Sequence, residues 1–112
     1  MEAKATCPVE TTLELIGGKY KSLILWHLSA GKLRFSELRQ RVSSATPKML
    51  TQQLRELEKN QLVHREGYPV IPPKVEYRLS DVGKSLMPLL DSMCCWGELH
   101  RPAQSRQQEE AI

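Results

Sequence analysis

The stretch from residue 31 to residue 79 constrains the fold more than any other part of the chain. It reads as a short helix, a turn, a second helix opened by Thr46 and Pro47, and then two strands around a proline-rich loop. A threonine side-chain oxygen can accept a hydrogen bond from a backbone N–H of the first helical turn. Proline is tolerated in that turn because the N–H group it lacks would have no partner within the helix. This order predicts a helix-turn-helix over about 35–59 and a β-hairpin wing over about 62–79.

The second helix of this unit has two unlike faces. At 100° per residue, Leu50, Leu54 and Leu57 fall on one side, which predicts that this side is buried. Thr51 lies on the flank, and the opposite side carries Lys48, Gln52, Arg55 and Lys59. Such a helix suits the DNA major groove, although an ordinary solvated face is the alternative.

Positive charge is concentrated on the same unit. Residues 19–79 contain twelve Lys and Arg against five Glu, a net charge of +7, whereas the remainder of the chain carries −4. This asymmetry is typical of a surface that binds phosphates. An acidic substrate or a membrane surface could also use it.

A chain of 112 residues is expected to form one domain, which we place at residues 1–101. A chain this short has little room for separate catalytic lobes, so neither an enzyme nor a bound cofactor is expected. No apolar run approaches the roughly 20 residues that span a bilayer, and the N-terminus lacks a secretory signal pattern. We therefore expect a cytoplasmic protein without membrane contacts.

Two further regions predict helices at the ends of the domain, over about 8–16 and 81–99. Pro8 and the Gly17-Gly18 pair delimit the first, whose apolar side is Val9, Leu13 and Ile16. Ser80 is placed to cap the last helix, whose apolar positions are Val82, Leu86, Leu89, Leu90, Met93 and Trp96. Pro88 predicts a kink there or a later start.

The segments beside these helices are also interpretable. Residues 19–29 predict a core helix with Tyr20, Leu23 and Ile24 at helical spacing. The composition of residues 102–112 predicts a disordered tail.

Three cysteines, two of them adjacent, do not form the pattern of a disulfide scaffold. Cys7 precedes the first helix, where free backbone N–H groups favour a reactive thiolate. The alternative is a small buried residue packed in a dimer interface, with Glu10 and Glu14 nearby opposing a thiolate. Cys94 and Cys95 are expected to pack as small apolar residues, with an intersubunit disulfide to Cys7 left open. Together with His100 they match no standard zinc spacing, so no metal is expected.

With these residues laid out, the chain resembles the HxlR-type transcriptional regulators, a branch of the MarR-like winged-helix proteins. The match covers about residues 7–98. It departs from the residues usual in that family at Tyr20, where Trp is common, and in the turn at 43–45. The matching strings are Cys7-Pro, Leu15-Ile-Gly-Gly-Lys-Tyr, Leu23-Ile-Leu, Arg34-Phe-Ser-Glu-Leu, Pro47-Lys-Met-Leu-Thr-Gln-Gln-Leu-Arg-Glu-Leu-Glu, Pro72-Pro-Lys-Val-Glu-Tyr-Arg-Leu and Trp96-Gly.

The resemblance implies a mainly α fold with a small β-hairpin wing, dimerised through its N- and C-terminal helices. It also implies a homodimer on a near-palindromic DNA site, with half-sites spaced by multiples of about one helical turn, ~34 Å. Several relatives sense electrophiles or oxidants through an N-terminal cysteine, a position that Cys7 occupies here.

Roles for individual residues follow from their chemistry on such a fold. Thr51, Gln52 and Arg55 are assigned to base edges and Lys48 to phosphate. Arg65 and Lys74, with Lys74 expected near the tip of the wing, are assigned to the minor groove or the backbone. For Arg55 the alternative is an ion pair with Glu56 or Glu58 along the helix.

Two other classes of function remain as alternatives. A winged-helix module could bind another protein without reading DNA. An enzyme could pair Cys7 with a histidine, but no third orienting group stands out.

Overall fold

A computed structural model describes residues 7–72 and 74–102. The tail predicted over 102–112 therefore lies outside the described residues, apart from Pro102. The helices are α1 (Pro8–Ile16), α2 (Lys21–Leu28), α3 (Phe35–Arg41), α4 (Pro47–Lys59), α5 (Asp81–Lys84) and α6 (Met87–His100). The strands are β1 (Leu33–Arg34), β2 (Val63–Tyr68) and β3 (Lys74–Leu79). The fold is mainly α with a small sheet, as the sequence predicted.

The core lies where the apolar sides of α2, α3 and α4 meet the sheet. Its most deeply buried side chains are aliphatic and lie mostly on these three helices and at the start of β2. Because non-directional apolar burial supplies most of the driving force for folding, this cluster holds the helix-turn-helix together. Its fully buried members are Ile24, Leu25, Leu28, Leu38, Leu50, Leu54, Leu57, Leu62 and Val63.

The sheet has three strands rather than the two of the predicted hairpin. Its order is β1-β3-β2, and both pairings are antiparallel. The short strand β1 pairs Leu33 with Tyr77 and Arg34 with Glu76. A two-residue strand has no alternation to detect, so its existence depends on the pairing with β3.

The predicted C-terminal helix is divided in two. Ser80 caps the short helix α5 by accepting a hydrogen bond from the Gly83 N–H at 3.0 Å. The long helix α6 begins afterwards, with Pro88 in its first turn. This agrees with the later start that Pro88 predicted, because proline costs no hydrogen bond in the first turn.

Several predicted core residues are exposed in the single chain. In α2, Leu23 is exposed and Leu25 is buried in its place, which corrects the predicted core face of this helix. In α1 only Ile16 is buried, while Val9 and Leu13 are exposed. The buried residue of α6 is Leu90, and Leu89, Met93 and Trp96 are exposed. The terminal helices thus present apolar side chains that the single chain does not cover.

In the described parts of the chain, no helix combines the length and the apolar character needed to cross a membrane.

Candidate nucleic-acid interface

Helix α4 is positioned by its ends and by its leucines. The Thr46 hydroxyl oxygen accepts a hydrogen bond from the Met49 N–H at 3.1 Å, which satisfies one of the free donors of the first turn. Leu50, Leu54 and Leu57 are all buried, which confirms the predicted inner face. The opposite face of the helix is therefore turned to solvent.

The structure brings four of the predicted DNA-contacting residues together. Lys48, Thr51, Gln52 and Arg55 line one shallow groove of about 460 Å³. Phe35, at the start of α3, and Pro47 complete the lining. The groove is thus lined by the apolar side chains of Phe35 and Pro47 and by hydrogen-bonding groups of the kind that contact base edges.

Among the described residues, the two positively charged side chains of this groove, Lys48 and Arg55, form no ion pair with a carboxylate. Glu56, which was considered as a partner for Arg55, instead pairs with Lys21 of α2 at 2.6 Å. The guanidinium of Arg55 therefore remains available to an external anion or base.

The wing residues are arranged differently from the prediction. Lys74 is the first residue of β3 and pairs with Tyr68, so it lies at the base of the connecting loop and not near its tip. Its ammonium group is 3.5 Å from the Glu76 carboxylate and 5.3 Å from the centroid of the Tyr68 ring. Part of its positive charge is thus balanced within the wing.

Arg65 and Lys74 do not share a face of the hairpin. Arg65 pairs with Tyr77, which is three residues from Lys74 along β3. Successive side chains of a strand alternate between the two faces, so Arg65 and Lys74 lie on opposite sides of the sheet. Arg65 is exposed and Lys74 is half-buried.

Sequence reasoning missed the ion pair between Lys21 and Glu56 in this region. The side chain of Lys21 is only 11 % exposed, although it carries a charge. A hydrogen bond from Lys21 and its positive charge are the main causes that hold the pKa of Glu56 below its ordinary value. No local sequence pattern predicts an ion pair between residues 35 positions apart, because the contact forms only when α2 packs on α4.

Cys7 lies at the predicted position, immediately before α1. It is exposed, and its backbone N–H donates to the Glu10 carboxylate at 3.1 Å. Glu10 thus lies close to the cysteine, as the alternative interpretation expected, but the single chain does not bury Cys7. Cys94 and Cys95 are exposed on α6, so the single chain does not supply the packing expected for them.

No metal site is formed by the described residues, in the sense that no three His, Cys, Asp or Glu side chains converge. His100 is occupied within α6, where its ring stacks on Trp96 with centroids 4.1 Å apart. Its Nδ1 atom also lies 2.9 Å from the Trp96 carbonyl oxygen.

The geometry of a capped, amphipathic helix beside a winged sheet agrees with a comparison to known families. The model of the HxlR-like helix-turn-helix family matches residues 15–105. The chain belongs to the HxlR-like helix-turn-helix family.

Similar proteins support this assignment. An uncharacterized HTH-type transcriptional regulator of Methanothermobacter thermautotrophicus is 50% identical over 105 residues, which are 94% of this chain and 80% of that protein. The structure of the redox regulator HypR in its oxidized form is 50% identical, with a TM-score of 0.83, and covers 87% of this chain and 100% of its own. The reduced form of HypR is 48% identical with the same TM-score, covering 89% and 99%.

Proposed function

We propose that this HxlR-like protein is a sequence-specific, double-stranded DNA-binding transcriptional regulator. The observation that carries the proposal is the outer face of α4, where Lys48, Thr51, Gln52 and Arg55 line one groove. The two cations among them have no carboxylate partner among the described residues. The regulators to which this chain is similar carry the same helix-turn-helix class in their names.

Within this proposal each residue of α4 has a separate task. Arg55 suits the O6 and N7 atoms of guanine, and Gln52 suits the N6 and N7 atoms of adenine, because both side chains can form two hydrogen bonds in one plane. Thr51 contacts a base edge from the flank. Lys48, in the first turn of α4, contacts a phosphate and contributes to affinity more than to sequence preference.

The wing supplies a second, weaker contact. Arg65 is exposed and its charge is unpaired among the described residues, so we assign it to the minor groove or the adjacent backbone. Lys74 remains assigned there as well, but Glu76 balances part of its charge. We therefore expect the loss of Arg65 to reduce DNA affinity more than the loss of Lys74.

We further propose that the protein acts as a homodimer through α1 and α6. Val9 and Leu13 of α1 and Met93 and Trp96 of α6 are exposed large apolar residues. Large exposed apolar side chains concentrated on two helices mark an interface more often than a free surface. A second copy would bury these side chains and place two α4 helices on a near-palindromic site.

The dimer proposal is tested by measuring molar mass with light scattering on a gel-filtration column. Leu13→Glu and Met93→Glu should each convert the dimer to a monomer, because either change places a charge inside the interface. Ile71→Glu is the matched control, since Ile71 is fully exposed in the wing loop and belongs to neither helix. A wild-type protein that elutes as a monomer would contradict the proposal.

Cys7 is the residue that we propose as a sensor of a small electrophile or oxidant. Its thiol is exposed at the start of a proposed dimer helix, so a modification there would bear on the interface. The similarity to HypR, a redox regulator seen in oxidized and reduced forms, supports the assignment. The Glu10 carboxylate accepts a hydrogen bond from the backbone N–H of Cys7, so an anionic side chain lies beside the proposed sensor.

The first experiment titrates a labelled duplex, taken from upstream of the protein's own gene, at fixed salt. Reduced protein, diamide-treated protein and Cys7→Ser are compared. We expect reduced protein to bind, and diamide to weaken binding only when Cys7 is present. Binding that diamide does not alter would remove Cys7 as the sensor while keeping the DNA reading.

A paired variant separates DNA reading from folding. Gln52→Ala with Arg55→Ala should abolish specific binding while the molar mass stays that of the wild type. Lys84→Ala, which removes one exposed charge from α5, is the control and should retain binding. Unchanged specific binding by the double variant would contradict the assignment of α4.

A further inference from the structure

Lys21 is a nearly buried cation whose contact crosses from the core helix α2 to α4. Its Nζ atom lies 2.6 Å from Oε1 of Glu56, while the Glu56 side chain is 40 % exposed at the surface. An ammonium group taken out of water needs a charged partner, so the pair fixes the position of the Glu56 carboxylate relative to α2.

Glu56 in turn contacts Gln52, one turn earlier in α4. The amide nitrogen Nε2 of Gln52 donates to Oε2 of Glu56 across a long hydrogen bond of 3.5 Å. Thus one carboxylate oxygen faces Lys21 and the other faces Gln52.

The orientation of the Gln52 amide follows from the charge state of Glu56. Lys21, through its hydrogen bond and charge, keeps the pKa of Glu56 below the ordinary value, so the carboxylate is ionised at neutral pH. An ionised carboxylate only accepts hydrogen bonds. The reversed amide would place the Gln52 oxygen against it, which is unfavourable.

We propose that Lys21 is a positioning residue of the DNA interface, which holds Glu56 and thereby fixes the orientation of the Gln52 side-chain amide. The inference rests on the proposed DNA-binding function. With one N–H of Gln52 directed at Glu56, its second N–H and its oxygen share the other edge of the amide. That edge, one donor beside one acceptor, is complementary to N7 and N6 of adenine in the major groove.

The experiment measures base preference and not only affinity. A library of duplexes with a randomised central region is selected with the wild-type protein, and repetition with Gln52→Ala locates the base pair that depends on Gln52. Duplexes with each base pair at that position are then titrated with Lys21→Met, Lys21→Arg and Lys19→Met.

The expected results differ between the variants. A bidentate contact distinguishes bases by about tenfold or more, and Lys21→Met should reduce that ratio to within about threefold, since the amide is no longer held. Lys21→Arg retains the charge and should retain the preference. Lys19→Met removes an equal charge from the residue whose ammonium lies over the Tyr20 ring, so it should weaken all duplexes alike.

A second variant covers the case in which Lys21→Met fails to fold. Glu56→Gln leaves Lys21 a side-chain oxygen but can present either amide group to Gln52, so it should lose the preference in the same way.

Several outcomes would overturn the inference. They are an unchanged base preference in Lys21→Met and Glu56→Gln, a loss of preference in Lys19→Met equal to that in Lys21→Met, and a selected site with no dependence on Gln52. Each of these leaves the proposed DNA-binding function intact. Failure of the wild-type protein to select any sequence would instead overturn the proposed function itself.

Discussion

The hydroxyl group of Tyr20 donates a hydrogen bond of 3.1 Å to the backbone carbonyl oxygen of Ser44. Tyr20 is buried at the start of α2, and Ser44 lies in the turn between α3 and α4. The contact makes them one feature, in which a phenol fastens the turn that orients α4.

Removing this hydroxyl should loosen the turn. Tyr20→Phe keeps the ring but leaves the Ser44 carbonyl without this donor, at a cost of about 1 kcal/mol in the free energy of unfolding. Urea unfolding followed by circular dichroism measures the change. Tyr77→Phe, which removes the hydroxyl group of a half-buried tyrosine in β3, is the control and should cost less. Equal stability of Tyr20→Phe and wild type would show that the hydrogen bond contributes nothing.

The cap of α4 should contribute a similar amount. Thr46→Ala removes the oxygen that accepts from the Met49 N–H, and we expect a loss of about 1 kcal/mol. Thr46→Ser keeps a hydroxyl oxygen at the same position and should remain close to wild type. Both are compared by thermal and urea unfolding, and equal losses in the two variants would assign the effect to the threonine methyl group instead of the cap.

Gly83 in α5 is expected to tolerate no side chain. A Cβ atom there would lie 2.2 Å from the backbone oxygen of Leu62, so α5 would have to move. Alanine stabilises a helix relative to glycine by about 1 kcal/mol, but overpacking typically costs about 1–3 kcal/mol. Gly83→Ala should therefore be destabilising in a urea titration.

Gly67 provides the matched comparison for that prediction. A Cβ atom at Gly67 would meet nothing within 4 Å. Gly67→Ala should therefore change the free energy of unfolding by no more than about 0.5 kcal/mol. A Gly83→Ala protein with the free energy of unfolding of the wild type would contradict the prediction, and would mean that the backbone at Leu62 moves aside at little cost.

The wing should lose stability in acid through Glu76. Burial acts to raise the pKa of this carboxyl group, but Lys32 at 3.3 Å and Lys74 at 3.5 Å hold its pKa below the ordinary value of 4.5. For a lowered carboxyl pKa, the contribution to stability is complete above the unfolded value and is lost as the pH falls through the folded value.

The measurement compares wild type with Glu76→Gln at a series of pH values. At neutral pH the variant should unfold at a lower urea concentration, because Lys32 and Lys74 lose their shared partner. Below pH 4.5 the two curves should converge as Glu76 is protonated in the wild type. Curves that stay parallel through this range would exclude a role for the Glu76 charge.

Local pattern was enough to predict α4 and much of its surroundings. The leucine spacing, the Thr46 cap and Pro47 act within one or two helical turns, so they can be read without knowing the rest of the fold. Pro88 predicted either a kink or a later start of the last helix, and the structure shows the later start, with Pro88 in the first turn of α6. The residues of the outer face of α4 were predicted for the same reason, since the inner face determines which side is left to solvent.

Register and packing decided what local pattern could not. Whether Arg65 and Lys74 share a face depends on which residues of β2 and β3 pair, and the two-residue strand β1 exists only through its pairing with β3. The Lys21 to Glu56 ion pair joins residues far apart in the chain, and its strength depends on the burial of Lys21.

The sequence by itself therefore determined that this protein contains a helix-turn-helix and a wing, because helix periods, caps and turns are local physical signals. Only the tertiary structure decided which charges near α4 are paired with one another and which remain open to a ligand. Pairing depends on distances of a few ångströms between side chains of different elements, and those distances are set by the packing of the core.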